Sequence, residues 1–467
     1  MLAELFTSSW MAFVPLGAIH YQSNATINPP NQLCTESAQS AALMEDFEFL
    51  QPHPTKDFEW IRANLGNCSH PLVRALAWLH RHSDDLHSPK GVFQAGVFTF
   101  LKSRIRTIRF ENEETAHICL NPGIAAFVDV KIPNTIRVCP SYSELESTLV
   151  LAQLLLHEAR HVDGHPHVLC AQGEFANGWV HACDEKIEDQ GSYAIGAEFL
   201  KIVIQSEGLP ETVRNEARGL LFADLISRFN QLPYGLKRGA LLKAKTGSAF
   251  FYDGKQRIEI SAAGGRSLQS SLLISRSGQP TLFEKETGAV STLHIGSVWL
   301  DTLGDFADLF RKNFQINPWS KLLDVYYGKS YACFLFASKL HCGKHGEPDK
   351  SFALKSMKAQ SFLHTENSKL LKRGEIYLAD GSKKVIALPK AFGLLGSIRD
   401  SNWQKDYLPQ SAIGYFVLNP SKELLLRADG RLMSYDFSKR KWAEEGEQLG
   451  FESLTGPIFW TEESLLQ

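Results

Sequence analysis

His157 and His161 stand four residues apart in the stretch LLLHEARHVDGHPHVLC, Leu154–Cys170, and on a helix that spacing projects both imidazoles from one face toward a common point. Glu158 sits beside the first of them, Gly164 follows at a place where a helix can end in the left-handed conformation, and His167 comes three residues later. Neutral imidazole nitrogens suit a zinc ion at about 2.0–2.1 Å, and a catalytic zinc takes three protein ligands and leaves one position for water. His157, His161 and His167 supply three such ligands. A carboxylate within reach then accepts the proton of water attacking a carbonyl carbon, and Glu158 is placed for it.

The full spacing is H-E-x-x-H-x-x-G-x-x-H, far more specific than its two-histidine half. It resembles the signature of the metzincin class of zinc metallopeptidases. The resemblance implies one zinc per chain held by His157, His161 and His167, with Glu158 as general base. It covers eleven residues and departs from the class in one respect: metzincins carry a methionine turn beneath the metal, whereas no Met occurs between Met44 and Met357. A divergent zincin is the expectation.

Other readings of the same residues stay open at this level. His165 competes with His167 as third ligand, with Pro166 restricting which ring turns inward, and Glu188 or Glu198 from a following helix are further candidates. Arg160 and Asp163 read as solvated charges on the helix surface. Tyr193 reads as a core side chain within reach of the metal, where a phenol would stabilise an oxyanion.

The elements that must position these groups are legible around them. Ser143 and Glu146 have capping-box spacing, so a helix is expected from there to about Val162, apolar nearly all round over Leu149–Leu156 and therefore buried. Upstream, Pro71–His82 has an apolar face with Ser69 as a cap, and 38–50 and 57–65 are short helical candidates. Strands are expected over Arg104–Glu111, Thr115–Leu120, Ile124–Val130 and Thr135–Val138, the material for a small sheet. Helices are expected over Gly191–Gln205 and Glu211–Asn230.

A chain of 467 residues is too long for one ordinary core, and its 44% hydrophobic content with 29 Phe and 9 Trp is that of a globular protein. A formal net charge of −2 offers no polyanion-binding surface, so nucleic acid is not an expected partner. Eight cysteines without a C-x-x-C allow 105 connectivities, of which neighbours in sequence make four plausible short loops, Cys34 with Cys68, Cys119 with Cys139, Cys170 with Cys183, and Cys333 with Cys342, with eight free buried thiols as the alternative. Four disulfides imply an oxidising compartment, hence a secreted or periplasmic protein. The apolar N-terminus around Trp10–Gly17 lacks an initial Lys or Arg and carries Glu4, so residues 1–33 read as a degenerate signal or an edge strand. No apolar run reaches the roughly 18–20 residues that span a bilayer, and the chain is expected to be soluble, with no transmembrane segment.

From about Gly247 short β-branched and aromatic runs alternate with tight turns, as in SAFFYDGKQRIEI, SLLISRSGQPTLFE, ACFLFASKLHCG and GEIYLADGSKKVIALP. The turns Ala379-Asp380-Gly381 and Ala428-Asp429-Gly430 look alike 49 residues apart, a period suited to propeller blades, four or five of them, with a β-sandwich pair as the alternative. Asp253, Asp380 and Asp429 are turn residues first. A helix over Leu300–Asn313 interrupts the pattern.

The fold expected is therefore multidomain α+β, with a zincin-like catalytic domain over residues 34–240 followed by an all-β, propeller-like domain over 248–467. The function expected is a zinc metalloendopeptidase acting on a protein or peptide substrate. A propeller-based extracellular binding or adhesion protein with a structural or inactive zinc site is the alternative, and hydrolysis of a non-peptide amide or ester a third.

Overall fold

The structure, a computed structural model, describes residues 9–13, 43, 45–50, 70–111, 116–120, 124–129, 131–144, 147–171, 181–260, 268, 271–276, 278–285, 290–294, 298–301, 321–327, 331–337, 339–344, 350–353, 360–363, 375–379, 385–389, 399–400, 411–445 and 449–460. The chain divides into two compact units at Tyr234/Gly235. That boundary falls ahead of the expected 240–248, because the strand Lys237–Ala244 is already part of the second unit, paired with the chain's last strand.

The first unit is built on a mixed five-stranded sheet of β1 (Ser9–Phe13), β2 (Glu48–Leu50), β3 (Thr107–Phe110), β4 (Ile124–Asp129) and β5 (Thr135–Val138), in the order β1-β4-β5-β3-β2. β2, β3 and β5 run parallel, while β4 is antiparallel to β5 and to β1. The N-terminal stretch is thus an edge strand here, the second of the two readings offered for it. Thr115–Leu120 is not a strand: His117–Leu120 forms a 3-10 turn, and the disulfide of Cys119 with Cys139 draws it onto a small core with Ile124 and Phe127. The Ala38–Leu50 stretch ends in β2 rather than in helix, and Asp57–Leu65 lies outside the described residues.

Five helices complete this unit: α1 (Pro71–Arg81), α2 (Val97–Arg104), α3 (Thr148–Val162), α4 (Ser192–Gln205) and α5 (Glu211–Ser227). His70, not Ser69, caps α1, its ring accepting from Leu72 N. The helix bearing the histidines starts later than expected. A 3-10 turn at Pro140–Glu144 precedes it, and Ser147 is the cap, its hydroxyl accepting from Val150 N. Because α3 packs on β4, β5 and β1 below and against α1, α2, α4 and α5 around it, it is buried on nearly every side. This accounts for an apolar run with no polar face.

Among the described residues the second unit contains five four-stranded antiparallel sheets in chain order. The second to the fifth begin with Ser271–Arg276, Leu322–Tyr327, Ser361–Leu363 and Ala412–Asn419, and each continues outward by hairpins. The first combines Lys237–Ala244, Ala249–Tyr252 and Arg257–Ile260 with Phe451–Trp460 from the end of the chain, which becomes its inner strand. Each inner strand adjoins that of the next sheet, and Ala412–Asn419 returns to Phe451–Trp460, so the ring closes on itself. Among the described residues this is a propeller-like arrangement of five sheets, in place of the β-sandwich alternative.

Alternate side chains of one strand serve two interfaces. Ala240, Leu242 and Ala244 pack with Phe416 and Leu424 of the fifth sheet, whereas Leu241 packs with Leu273 and Leu282 of the second. The two matching turns fall between the second and third strands of consecutive sheets, so the 49-residue spacing is the blade period. Asp253 and Asp429 are turn residues as expected, accepting from backbone amides two residues on, while Asp380 lies outside the described residues. Of the helix expected over 300–313, only Leu300 and Asp301 are described, and they lie in the strand Val298–Asp301.

Candidate metal centre

α3 delivers His157, Glu158 and His161 from its last turns, all buried. It stops at Asp163, and Gly164 takes φ +83° and bonds back to the carbonyl of His161. Nothing lies within 4 Å of where its Cβ would be, so the position needs glycine for its backbone angle and not for space. The turn swings the chain back along the helix, and His167 enters the cluster immediately before a short strand β6 (Val168–Leu169), which pairs with β7 (His181–Cys183).

His167 Nε2 lies 3.0 Å from His157 Nε2 and 3.1 Å from His161 Nε2. One ligand atom from each of the three residues falls within 4.8 Å of the others, and these three form the group among the described residues. Three nitrogens bound to one tetrahedral ion at about 2.0–2.1 Å stand roughly 3.3 Å apart, so the spacing is close to that of a shared cation.

The outward nitrogens show which protons the rings carry. His161 Nδ1 is 2.7 Å from the carbonyl oxygen of His165, which can only accept, so Nδ1 carries the proton and Nε2 a lone pair. Ser192 Oγ, 3.1 Å from that nitrogen and 3.4 Å from the same carbonyl, closes the triangle. His167 Nδ1 faces Asp184 Oδ1 at 3.4 Å, which turns the lone pair of its Nε2 inward as well. Two lone pairs thus meet at 3.1 Å in a buried site, an arrangement that a cation between them stabilises and that is repulsive without one.

Electrostatics agree with neutral, ligating rings. Burial first, then the neighbouring imidazoles His167 and His161 and the Arg228 guanidinium, hold His157 well below its ordinary 6.5, and burial followed by His167 does the same for His161. Asp184 uses its second oxygen to accept from Tyr193 N at 2.9 Å and Ala194 N at 3.0 Å, amides of the first turn of α4. Burial nonetheless raises it to about 6, and does the same to Asp224 behind it. The Tyr193 ring lies 4.5 Å from that of His157 and stacks on His167 at 4.6 Å, with Arg228 over its other face at 4.5 Å.

The structure therefore brings together all three expected ligands with Glu158 next to them on the helix. The other third-ligand candidates stand elsewhere. His165 contributes its carbonyl and not its ring, Glu188 is exposed, and Glu198 accepts from Val92 N at 2.8 Å. Arg160 and Asp163 lie at the surface, Asp163 exposed as expected, and are also paired: Arg160 bonds Gln190 O and Asp163, and Asp163 receives Arg104, tying the end of α3 to α2 and to the chain before α4. Tyr193 is a core residue whose ring walls the site.

Asp184, Ser192 and Arg228 were not legible as site residues. The one signal for Asp184 was its place directly after Cys183, the expected partner of Cys170. That pair is formed, as are Cys119–Cys139 and Cys333–Cys342, the last linking directly opposed residues of neighbouring strands, while Cys34 and Cys68 lie outside the described residues. Among the described residues no helix is long and apolar enough to cross a membrane.

No family model matches the chain, and no curated protein matches it in sequence. Among solved structures, YCF48 bound to a D1 peptide is similar over 43% of this chain and 62% of its own, at 11% identity and a TM-score of 0.22. The WD40 domain of Neurospora crassa Pan2 is similar over 38% of this chain and 49% of its own, at 13% identity and 0.25. Virginiamycin B lyase from Staphylococcus aureus is similar over 45% and 73%, at 9% identity and 0.24. The chain thus spans less than two thirds of the first two. At TM-scores this low the propeller description stands on strand pairing alone.

Proposed function

We propose that this chain is a zinc-dependent metallopeptidase of an oxidising, extracytoplasmic compartment, with a zincin-like catalytic unit and a propeller as its second unit. The observation that carries the reading is the convergence of the His161 and His167 lone pairs with His157, in a buried cluster whose next helical residue is the carboxylate Glu158. His157, His161 and His167 would hold the ion, and zinc bound there supplies the Lewis acidity that activates water and polarises a carbonyl.

The protein's own groups supply the rest. Glu158 takes the proton of the attacking water and passes it to the leaving amine. Asp184 and the His165 carbonyl keep the protons of His167 and His161 on Nδ1, so that neither of these rings turns its N–H toward the ion. The Tyr193 ring covers one side of the imidazoles and excludes water from it.

The test is Glu158→Gln in the full-length protein, with zinc content and cleavage of a mixed peptide library measured together. The reading expects undiminished zinc and a loss of cleavage of about 100-fold or more. Zinc bound by a parent protein that cleaves no peptide, amide or ester moves the assignment to a binding protein with a structural zinc site.

A further inference from the structure

Among the described residues, the arm that carries His167 is joined to β7 by a short ladder, a small apolar cluster and one covalent bond. After Gly164 and Pro166 the chain forms a ladder of only two residues, Val168 opposite Cys183 and Leu169 opposite His181, and a pairing so short is marginal in water. Leu169 is 53% exposed, and Asn230 is the side chain that reaches the arm from α5's side, through Leu169 O and Ala171 N.

The other side of the ladder is firmly placed. Asp184 is bonded through Oδ2 to the start of α4 and through its backbone to Arg228 and Asn230. Cys170 lies three residues past His167 and Cys183 one before Asp184, and their disulfide joins the arm that bears His167 to the segment that bears the carboxylate facing it.

We propose that closure of the Cys170–Cys183 disulfide is the step that completes the metal centre, making metal binding, and with it activity, conditional on an oxidising compartment. The inference deepens the metallopeptidase reading and rests on it for the identity of the site. Closure is a thiol–disulfide exchange with an external disulfide: the two thiols give up two electrons and two protons, the S–S bond forms, and the oxidant leaves as two thiols. With the thiols reduced, His157 and His161 remain on α3 as a two-ligand site, and the third ligand is free to leave.

The experiment compares zinc affinities of full-length proteins by competition with a chromophoric chelator. Cys170→Ser/Cys183→Ser is expected to bind zinc about 10–100-fold more weakly than the parent, the range seen when a ligand's orienting partner is lost. Cys119→Ser/Cys139→Ser, which opens another described disulfide of the same unit, is expected to retain parental affinity. In a His167→Ala background the Cys170/Cys183 change should add no further loss, because the ligand it positions is gone.

A folded Cys170→Ser/Cys183→Ser protein within about two-fold of the parent, or an equal loss in the His167→Ala background, overturns the proposal. Should that variant fail to fold, the folded, zinc-loaded parent is treated with a water-soluble trialkylphosphine, which takes oxygen from water and leaves both cysteines as thiols. Zinc release in step with alkylation of Cys170 and Cys183 supports the proposal, and zinc retained after both are alkylated sinks it. A parent that binds no zinc when oxidised defeats the metal reading itself, a result distinct from the other two.

Discussion

The carbonyl oxygen of His165 lies 2.7 Å from Nδ1 of His161, so the residue whose ring was a rival candidate ligand instead orients, through its backbone, a ring of the three-histidine cluster. A peptide carbonyl cannot exchange roles with its partner, and the inward nitrogen of His161 is therefore a lone pair whenever the ring is neutral.

It follows that the two neighbouring histidines respond oppositely to substitution. His167→Ala removes a ligand and should lower zinc affinity by about 100-fold or more. His165→Ala leaves the carbonyl in place and should stay within a few-fold of the parent. Titration of both variants against a zinc chelator checks the pair, and a reversed order would reassign the third ligand.

Asp184 is expected to act at one remove. Asp184→Asn loses the charge behind His167 while keeping an acceptor for the α4 amides, and should weaken zinc binding about 10–100-fold with little change in helix content. Zinc affinity and far-ultraviolet circular dichroism on the same samples separate this from unfolding.

In the propeller, Asp324 sets a pH dependence. It is buried, accepts from Val325 N at 2.8 Å and from Phe362 N at 2.7 Å, and so ties the third sheet to the fourth. Burial raises it from 3.8 to about 6 in the folded state, its two amide partners and Lys285 opposing the shift. Between those values the folded protein holds a proton that the unfolded chain has released. Its contribution to stability is therefore full below about 3.8 and lost as pH rises through about 6, a change on the order of 3 kcal/mol. Asp324→Asn should flatten this slope, which denaturant unfolding of parent and variant between pH 4.5 and 7.5, read by a probe in the propeller, will show. Parallel curves would exclude Asp324 as its source.

Ring closure gives a further prediction. A chain ending before Phe451 exposes the edge of Lys237–Ala244 and removes Phe451, Leu454 and Ile458 from two inter-sheet cores. The truncated protein should be cut within the second unit by a protease far faster than the parent, and should aggregate through the open edge. Equal proteolysis rates would mean that the last strand does not hold the ring.

The eleven-residue spacing from His157 to His167 was readable because it is local: helical periodicity puts two rings on one face, and one glycine at positive φ returns the chain for the third. The hairpins of the second half were readable for the same reason, since alternation and turn residues act over a few positions. The start of α3 was misplaced because Ser143 and Ser147 are both good caps, and only packing against the turn at 140–144 chooses between them. Blade number and ring closure join Lys237–Ala244 to a strand more than two hundred residues away, a pairing no local signal encodes. Asp184, Ser192 and Arg228 reach the metal cluster from separate elements, so their meeting is set by how α4, α5 and β7 pack around α3. The sequence by itself determined which groups could bind a metal and, through the nearby His165 carbonyl, which proton His161 carries, whereas tertiary packing decided the proton of His167, because Asp184 on its far side comes from another element.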